Sequence, residues 1–398
     1  MPAVPLGVLD LVPITTGSNA AEALRRSVDL ARRAEAAGYT RYWFAEHHLN
    51  PGVAGTSPAV VIALTAAATT RIRLGSGAVQ MGHRTALSTV EEFGLIDALH
   101  PGRLDLGLGR SAGRPPTRER AGAVTSTGER VAAVDAEPEP TVTTPEVVDG
   151  YTANGLRIPE VFSFAHLLGS PRFAALHRLL TQPGAEQQEY AEQVADVLAL
   201  LAGSYVSSEG VPLRVVPGEG ASLQVWVLGS SAGVSAEVAG LHGLPFAANY
   251  HVSPATVLEA VAAYRAAFKP SEERDRPYVT VSADVVVAET AERARELAAG
   301  YGPWVRSIRT GAGAIEYPTP AEAAELEAAW APADHAIVAD RIETRFVGTA
   351  ASVADDLERL REATEADELL VTTVTHDHEA RARSYELLAE EWRRRAGD

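Results

Sequence analysis

Two histidines and a glutamate stand side by side after a short apolar run that is typical of a β-strand. The run is Tyr42–Ala45, and Glu46, His47 and His48 follow it at once. A histidine in such a place can exchange protons near neutral pH. We therefore predict that His47 or His48 lines an active site; the alternative is that one of the two packs against a loop or caps it.

Two glycines lie inside the next predicted strand. They are Gly75 and Gly77, in the run G-S-G-A-V. A glycine weakens a strand, and it often marks a bulge or a place where a flat ligand approaches the backbone. Tight packing of the strand explains these glycines equally well, so this pattern leaves both interpretations open.

Two loops carry residue types that suit an anion. The first, G-L-G-R-S-A-G at 107–113, has the wrong spacing for a dinucleotide-binding loop, but it presents Arg110. A guanidinium group suits bidentate binding of phosphate. The second, L-G-S-S-A-G at 228–233, leads into a predicted helix whose free N–H groups and two hydroxyls can bind an anion. Either loop alone could be a plain connection, but together they favour a phosphate-bearing ligand.

A pair of histidines near the C-terminus has the spacing of two metal ligands. His376 and His378 form H-x-H after the last predicted strand, whereas barrel hydrolases of the amidohydrolase type carry this pair on the first strand. HExxH is absent and the chain has no cysteine, so we predict no metal site and keep His376 as a candidate pocket residue. Ser230 and Ser231 lack the G-x-S-x-G context of a nucleophilic serine.

The elements that would position these residues follow a repeated strand–helix pattern. Predicted strands begin at residues 6, 41, 72 and 104, and a spacing of about 30 residues is typical of a βα repeat. The strands lack clean alternation, as expected when both faces are covered. Four further strands are predicted at 223–229, 244–248, 278–288 and 369–374. We therefore predict an α/β fold, a (β/α)8 TIM barrel with eight strands and eight helices.

The chain is longer than such a barrel, which needs about 250 residues. We predict a single barrel domain over 1–398, with an insertion at 114–184 after the fourth strand and another at 302–346 between the seventh and eighth strands. The second half of the first insertion, 161–180, has a helical pattern. Because barrel active sites lie at the carboxyl ends of the strands, we expect lids or pocket walls; surface decoration is the alternative.

Composition narrows the class of protein. The chain has 52 acidic and 35 basic residues, a net charge of −17, which is unlike a surface for nucleic acid or anionic membranes. The absence of cysteine excludes disulfides and cysteine nucleophiles and suits a reducing compartment. No run approaches the roughly 20 apolar residues of a membrane span, and the N-terminus lacks the features of a signal peptide. We predict a cytoplasmic protein with no nucleic-acid or membrane partner.

Four segments together resemble the luciferase-like flavin monooxygenases. They read Y-W-F-A-E-H-H, R-I-R-L-G-S-G-A-V, H-P-G-R-L-D-L-G-L-G-R and V-W-V-L-G-S-S-A-G. The similarity runs over nearly the whole chain, although the insertion after the fourth strand matches poorly. Within the family, the chain most resembles the bacterial group that includes polyketide-tailoring enzymes.

The resemblance implies a luciferase-like barrel, often a homodimer, that works with a separate NAD(P)H-dependent flavin reductase. The reductase would deliver reduced FMN, O2 would add at flavin C4a, and the hydroperoxide would oxygenate a small organic substrate, such as a polyketide or another secondary metabolite. Two other functions stay open: an F420-dependent oxidoreductase of the same superfamily, and a non-catalytic flavin-binding barrel.

The resemblance also assigns roles position by position. It implies catalytic residues His47 and Glu46, and cofactor-binding residues Gly77, Ala78, Arg110, Gly229, Ser230 and Ser231. The peptide bond between Gly77 and Ala78 would be cis and lie behind the flavin ring, and Arg110 and the two serines would bind the FMN phosphate. Val234 departs from the pattern, because luciferase has a hydroxyl contact to phosphate there. This departure implies weaker FMN binding or a shifted contact from Ser235.

Overall fold

The computed structural model describes residues 4–110, 144–186 and 188–397. The start of the predicted first insertion, up to residue 143, therefore lies outside the described residues. The strands are β1 (Leu6–Asp10), β2 (Arg41–Phe44), β3 (Arg73–Ser76), β4 (Val79–Gln80), β5 (Leu104–Gly109), β6 (Val147–Val148), β7 (Tyr151–Thr152), β8 (Gln224–Gly229), β9 (Phe246–Asn249), β10 (Val279–Val287), β11 (Phe346–Gly348) and β12 (Glu368–Thr372).

Eight of these strands close into a parallel barrel. The order around the ring is β1, β2, β3, β5, β8, β9, β10 and β12, and β12 pairs with β1 to complete it. Every neighbouring pair in the ring is parallel. The predicted TIM barrel is therefore confirmed, because the eight predicted strands are the eight of the ring.

Helices alternate with the strands; some cover the outside of the ring, and others lie in the two segments described below. They are α1 (Ala20–Ala37), α2 (Pro58–Ala66), α3 (Ala86–Leu99), α4 (Ala165–Leu168), α5 (Pro171–Leu180), α6 (Tyr190–Leu201), α7 (Val234–Leu241), α8 (Val257–Ala267), α9 (Ala291–Ala298), α10 (Tyr301–Arg309), α11 (Pro320–Ala328), α12 (Pro332–Ala336), α13 (Ala339–Glu343), α14 (Ala350–Thr364) and α15 (His378–Ala396). In addition, α6 packs against α3, and α14 against β10. These two covering helices were not among the predicted ones.

Local chemistry sets the ends of the first helix. The Asn19 side chain accepts a hydrogen bond from the Glu22 backbone N–H at 3.1 Å, which satisfies one of the free donors at the start of α1. Gly38 ends the helix at φ 90°, a left-handed conformation that favours glycine. β2 then begins three residues later, so the turn delivers the chain directly into the barrel.

A buried ion-pair network closes the amino-terminal end of the barrel. Asp105 accepts from Arg41 at 2.6 Å, from the Trp43 indole at 2.9 Å and from Arg73 at 2.8 Å. Arg41 also pairs with Glu368 at 2.6 Å. Each charged side chain of the network is paired, so the network joins β2, β3, β5 and β12 without leaving a buried charge unpaired.

Apolar side chains fill the middle of the barrel above that network. Leu9, Trp43, Trp226, Ala247 and Leu370 belong to one buried cluster. The Trp43 and Trp226 rings meet edge to face, with centroids 5.1 Å apart. The barrel is therefore plugged below its carboxyl end, and a ligand has to lie at the mouth above this layer.

The segment 302–346 contains α11–α13 and all of α10 except its first residue, and backbone hydrogen bonds attach it to the mouth. Gly52 N–H donates to the Ala314 carbonyl at 2.7 Å, and Tyr317 exchanges bonds with Ile14 and Thr16 at 2.8 and 3.0 Å. These bonds join the segment to the loops after β1 and β2. It therefore forms a fixed wall beside the ends of these strands.

The segment 161–180 is held more loosely. It contains α4 and α5, which agrees with the predicted helical pattern, and no residue of α5 is fully buried. His166 Nε2 lies 2.8 Å from the Arg309 carbonyl, and the Arg309 guanidinium lies 3.9 Å from the centre of the Phe162 ring. A few side-chain contacts to α10 therefore hold this segment near the fixed wall.

No helix in the described part of the chain combines the length and the apolar character that crossing a membrane requires.

Candidate active site

His47 lies just past the carboxyl end of β2, at the mouth of the barrel. The backbone there is held by the bond from Ala45 N–H to the Asp10 carbonyl at 3.0 Å and from His47 N–H to the Gly55 carbonyl at 2.8 Å. The backbone at His47 is thus held in place, but the buried Nδ1 of its ring has no hydrogen-bond partner among the described residues. Burial, with a smaller effect of His48, lowers the pKa of His47 to about 4, so the ring is neutral at pH 7.

His48 has a structural partner instead. Its Nε2 lies 2.9 Å from Glu46 Oε1, and its ring meets the His83 ring edge to face. Of the two histidines that the sequence put forward, His47 therefore has the ring that is free to meet a ligand.

Glu46 is buried, and both of its carboxylate oxygens are engaged. Oε2 accepts from the Gln80 N–H at 2.9 Å, while Oε1 lies 3.1 Å from His83 Nε2 and 3.3 Å from an Arg84 nitrogen. Burial opposes ionisation, but the hydrogen bonds from His83 and Gln80 and the Arg84 charge lower the pKa of Glu46 to about 2. The carboxylate thus links the end of β2 to the turn at 80–84.

Glu46, His48 and His83 also have the spacing of a metal site, with potential ligand atoms within 4.8 Å of one another. However, Arg84 already supplies a positive charge at the same carboxylate oxygen, 3.3 Å away. Arg84 therefore already compensates the charge of Glu46, and a metal cation at this cluster would be repelled by the Arg84 guanidinium.

The H-x-H pair near the C-terminus does not converge on one point. His376 Nε2 lies 3.0 Å from the Thr16 carbonyl, whereas His378 Nε2 lies 2.8 Å from Asp29. The two rings are used in separate contacts, so the geometry does not favour a shared ligand.

The peptide bond between Gly77 and Ala78 is cis, as the resemblance implied. Gly77 N–H donates to the Phe44 carbonyl at 2.8 Å, which places this bond beside the end of β2. Close packing accounts for the neighbouring Gly75, where a Cβ would lie 2.6 Å from the Trp43 ring. Of the two explanations that the sequence left open, packing therefore applies to Gly75.

Arg110, Gly229, Ser230 and Ser231 meet at one side of the mouth. β5 and β8 are neighbours, with Gly109 opposite Leu228, so the residues that follow these two strands lie next to each other. Arg110, Ser230 and Ser231 are exposed, and α7 begins just beyond them without a side-chain cap on its N–H groups. A cation, two hydroxyls and free N–H groups on one rim are groups that can bind an anion.

Sequence reasoning missed His251, a further residue of the mouth. It follows β9, and its Nδ1 lies 2.6 Å from Ser282 Oγ of β10. Burial is the main cause that lowers the pKa of His251 to about 4, and the charge of His47 acts in the same direction. The signal that could have found it is its position three residues after the predicted strand 244–248.

Comparison with known proteins shows similarity along the chain. The family model for luciferase-like monooxygenases matches residues 4–136 and 175–395. An uncharacterised protein of Bacillus subtilis (strain 168), YvbT, is 33% identical over 393 residues, covering 98% of this chain and 97% of its own. A luciferase-like monooxygenase of Escherichia coli (strain K12) is 32% identical over 385 residues, covering 96% of each chain.

Solved structures give the same result for the fold. Apo-MsnO8 is 28% identical, with a TM-score of 0.73 and coverage of 98% of both chains. More distant structures, below 25% identity, share the fold alone; they include a Baeyer–Villiger monooxygenase in complex with FMN and an F420-dependent reductase.

Proposed function

The chain belongs to the luciferase-like monooxygenase family, and from this premise we propose that it is a two-component flavin-dependent monooxygenase. It would use reduced FMN and O2 to oxygenate a small organic substrate. The observation that carries this proposal is His47, a neutral histidine whose buried Nδ1 has no partner in the described part of the chain, at the mouth of the barrel.

The residues at the mouth fit a flat ligand that ends in a phosphate. Arg110, Ser230 and Ser231 would bind the phosphate, together with the first N–H groups of α7. The backbone at Gly77–Ala78 would support the ring. Thr372 Oγ1, like His47 Nδ1, is buried without a partner among the residues described, so the mouth holds polar atoms that a ligand can satisfy.

Bound FMN would supply the redox chemistry, because reduced flavin activates O2 and no side chain of this protein can do so. The protein's own residues have to bind and orient the flavin and shield it from water. Its hydrogen-bonding groups would hold the ring against the Gly77–Ala78 backbone, and the wall formed by α10 and residues 312–317 would exclude water, which competes with transfer of oxygen.

His47 would move the proton that oxygen transfer requires. Because its pKa is about 4, the ring is a weak base, and any proton that it takes up it would give up readily to the reacting oxygen or the substrate. Glu46 contacts the neighbouring turn rather than the open side of the mouth, so we propose that it positions His47 through the backbone at the end of β2.

The remaining partners follow from the same chemistry. A separate NAD(P)H-dependent flavin reductase would supply reduced FMN, O2 would be the second substrate, and the third would be a small organic molecule such as a secondary metabolite. An enzyme with these partners would work in the cytoplasm, where NAD(P)H is available.

Stopped-flow absorbance tests the proposal directly. Anaerobically reduced FMN would be mixed with oxygenated buffer, with and without the protein, while the flavin spectrum is followed. We expect the protein to produce a near-ultraviolet band that belongs to neither reduced nor oxidised flavin and that outlives any such band in free FMN.

Reoxidation at the rate of free FMN, with no such band, would overturn the oxygenase proposal. Anaerobic titration with F420 would then show whether the protein binds this deazaflavin, as the alternative with hydride transfer requires. Tight binding of FMN without either reaction would identify a non-catalytic flavin-binding barrel.

A further inference from the structure

His251 lies across the mouth from His47. In the ring of eight strands, β9 is four strands away from β2 in either direction, so the two strands stand opposite each other. His251 follows β9 and His47 follows β2, at the same end of the barrel. The charge of His47 acts on the pKa of His251, as expected for two rings that share one space.

Ser282 holds the His251 ring by one nitrogen. Nδ1 lies 2.6 Å from Ser282 Oγ, and the His251 backbone N–H donates to the Ser282 carbonyl at 3.1 Å. Ser282 is itself buried in β10, next to β9. Because Nδ1 is used in this way in either tautomer, Nε2 is left for a ligand. No described residue hydrogen-bonds to Nε2.

The charged groups around His251 are already paired with one another. Asp284, two residues along β10, accepts from the Tyr301 hydroxyl and lies 3.4 Å from Arg341. Asp284 raises the pKa of His251, while Arg341 and His47 lower it, and burial has the largest effect. The ring is therefore neutral at pH 7 and can either donate or accept a hydrogen bond at Nε2.

The two histidines also lie at the two ends of the proposed cofactor site. Going round the ring from β2 to β9, the strands between are β3, β5 and β8. These are the strands that carry Gly77–Ala78, Arg110 and Ser230–Ser231. A ligand held by this arc has His47 at one end and His251 at the other.

We infer that His251 is a second ligand-facing residue of this site, whose Nε2 hydrogen-bonds the polar edge of the flavin ring, and that Ser282 is its positioning residue. The inference rests on the proposed function. The polar edge of a flavin offers ring carbonyl oxygens and an N–H group, which are the partners a neutral imidazole can satisfy.

NMR of protein labelled with 15N-histidine, with and without oxidised FMN, tests this contact without turnover. We expect FMN to shift the Nε2 signals of His251 and His47. The signal of His242, an exposed residue after α7, should stay unchanged as an internal control. Because the test uses the wild-type protein, it does not depend on the folding of a variant.

Affinity for FMN, measured by fluorescence titration, gives the second readout. His251→Gln should weaken binding about tenfold, the effect of one lost hydrogen bond. Ser282→Ala should weaken it about threefold and shift the His251 signals in the ligand-free protein, whereas Ser282→Thr, which keeps a hydroxyl, should restore both. His242→Gln is the matched control and should bind FMN like the wild type.

The outcomes separate this inference from the proposed function. If FMN binds and shifts His47 but leaves His251 unchanged, the inference is overturned and the proposed function stands. If FMN does not bind at all, the proposed function is overturned and the inference falls with it.

Discussion

At the level of single residues, the two adjacent histidines after β2 have different environments. His48 is bonded to Glu46 at 2.9 Å, while His47 keeps a buried nitrogen without a partner in the described ranges. The same residue type is thus held by a neighbouring carboxylate at one position and keeps an unpaired nitrogen at the next, where we propose a chemical role.

Replacing His47 tests its proposed role. His47→Gln should weaken FMN binding by no more than about tenfold, because the phosphate rim is untouched, but it should remove most of the protected oxygen chemistry. A general acid–base group contributes roughly 100-fold or more to rate. Stopped-flow reoxidation of bound FMN measures the effect, and His48→Gln is the comparison. Kinetics like those of wild type in the His47 variant would contradict the assignment.

Arg110 should discriminate between ligands by their phosphate. Arg110→Ala is expected to weaken FMN binding about 10- to 100-fold, since it removes a charge-assisted contact, and to leave riboflavin binding unchanged. Fluorescence titration with both ligands gives the ratio. Arg25→Ala, an exposed arginine on α1, is the control. An equal loss for both ligands would indicate misfolding instead of phosphate recognition.

His47 and His251 should make the fold less stable in mild acid. Their pKa values fall from 6.5 to about 4 on folding, so between these values the unfolded chain binds protons that the folded chain does not. Stability therefore falls as the pH drops from about 6.5 towards 4, by about 2 to 3 kcal/mol per histidine at most.

Urea unfolding between about pH 7 and pH 5 measures this loss. The pKa of Glu46 is about 2, so it stays ionised over that range. The double variant His47→Gln, His251→Gln should show a flatter dependence of unfolding free energy on pH. A slope equal to that of wild type would show that other groups cause the acid sensitivity.

At the level of elements, the site depends on how the end of β2 is joined to the turn at 80–84. Glu46 makes that connection through Gln80, His83 and Arg84. The cis peptide at Gly77–Ala78 lies between the two ends of the connection along the chain. One buried carboxylate therefore ties together two segments of the proposed cofactor site.

Glu46→Gln tests whether this carboxylate positions or reacts. We expect a loss of about 2 kcal/mol in unfolding free energy, because Arg84 and His83 lose a charged buried partner. Glu92 also pairs with Arg84, and its side chain is 39% exposed. Glu92→Gln should therefore lower the unfolding free energy by less than about 1 kcal/mol. Unchanged stability with lost turnover would show instead that Glu46 acts in the chemistry.

The eight barrel strands were predicted well because each is an apolar run between clear turn signals. The helices α6 and α14 were missed, although their sequences carry the information. Val194 and Val197 in α6, and Val353, Leu357 and Leu360 in α14, are buried at helical spacing. Both helices follow long insertions, where the regular spacing of strands no longer guides the assignment.

At the level of the whole molecule, two neighbouring helices carry several exposed aliphatic side chains. They are Val60 and Leu64 on α2, and Leu87, Leu95 and Leu99 on α3. α2 packs against α3, and we refer to the exposed side of this helix pair as the α2–α3 face. A monomer rarely exposes such a group without a partner, and we propose that this face joins two copies of the chain.

Sedimentation velocity tests the homodimer. The wild type should sediment as a dimer, and the double variant Leu64→Glu, Leu95→Glu as a monomer, because charges at the centre of an apolar interface oppose association. Leu326→Glu changes an exposed leucine on α11, away from this face, and should leave the dimer intact. A wild type that sediments as a monomer would overturn the proposal.

The sequence by itself determined the order of the barrel strands and the residues that follow each of them. These depend on local periodicity and turn chemistry, which act over a few residues. Local patterns alone therefore place His47, Arg110 and Ser230 at one end of the barrel.

Only the tertiary structure decided which of these side chains are free to act. Glu46 Oε2 is engaged by a turn 34 residues away, and Glu46 Oε1 pairs with His48, while His47 Nδ1 keeps no partner among the described residues. His251 faces His47 because closure of the ring brings β9 opposite β2, about 200 residues apart in the chain. Burial and partner choice depend on such distant contacts, and local sequence does not encode them.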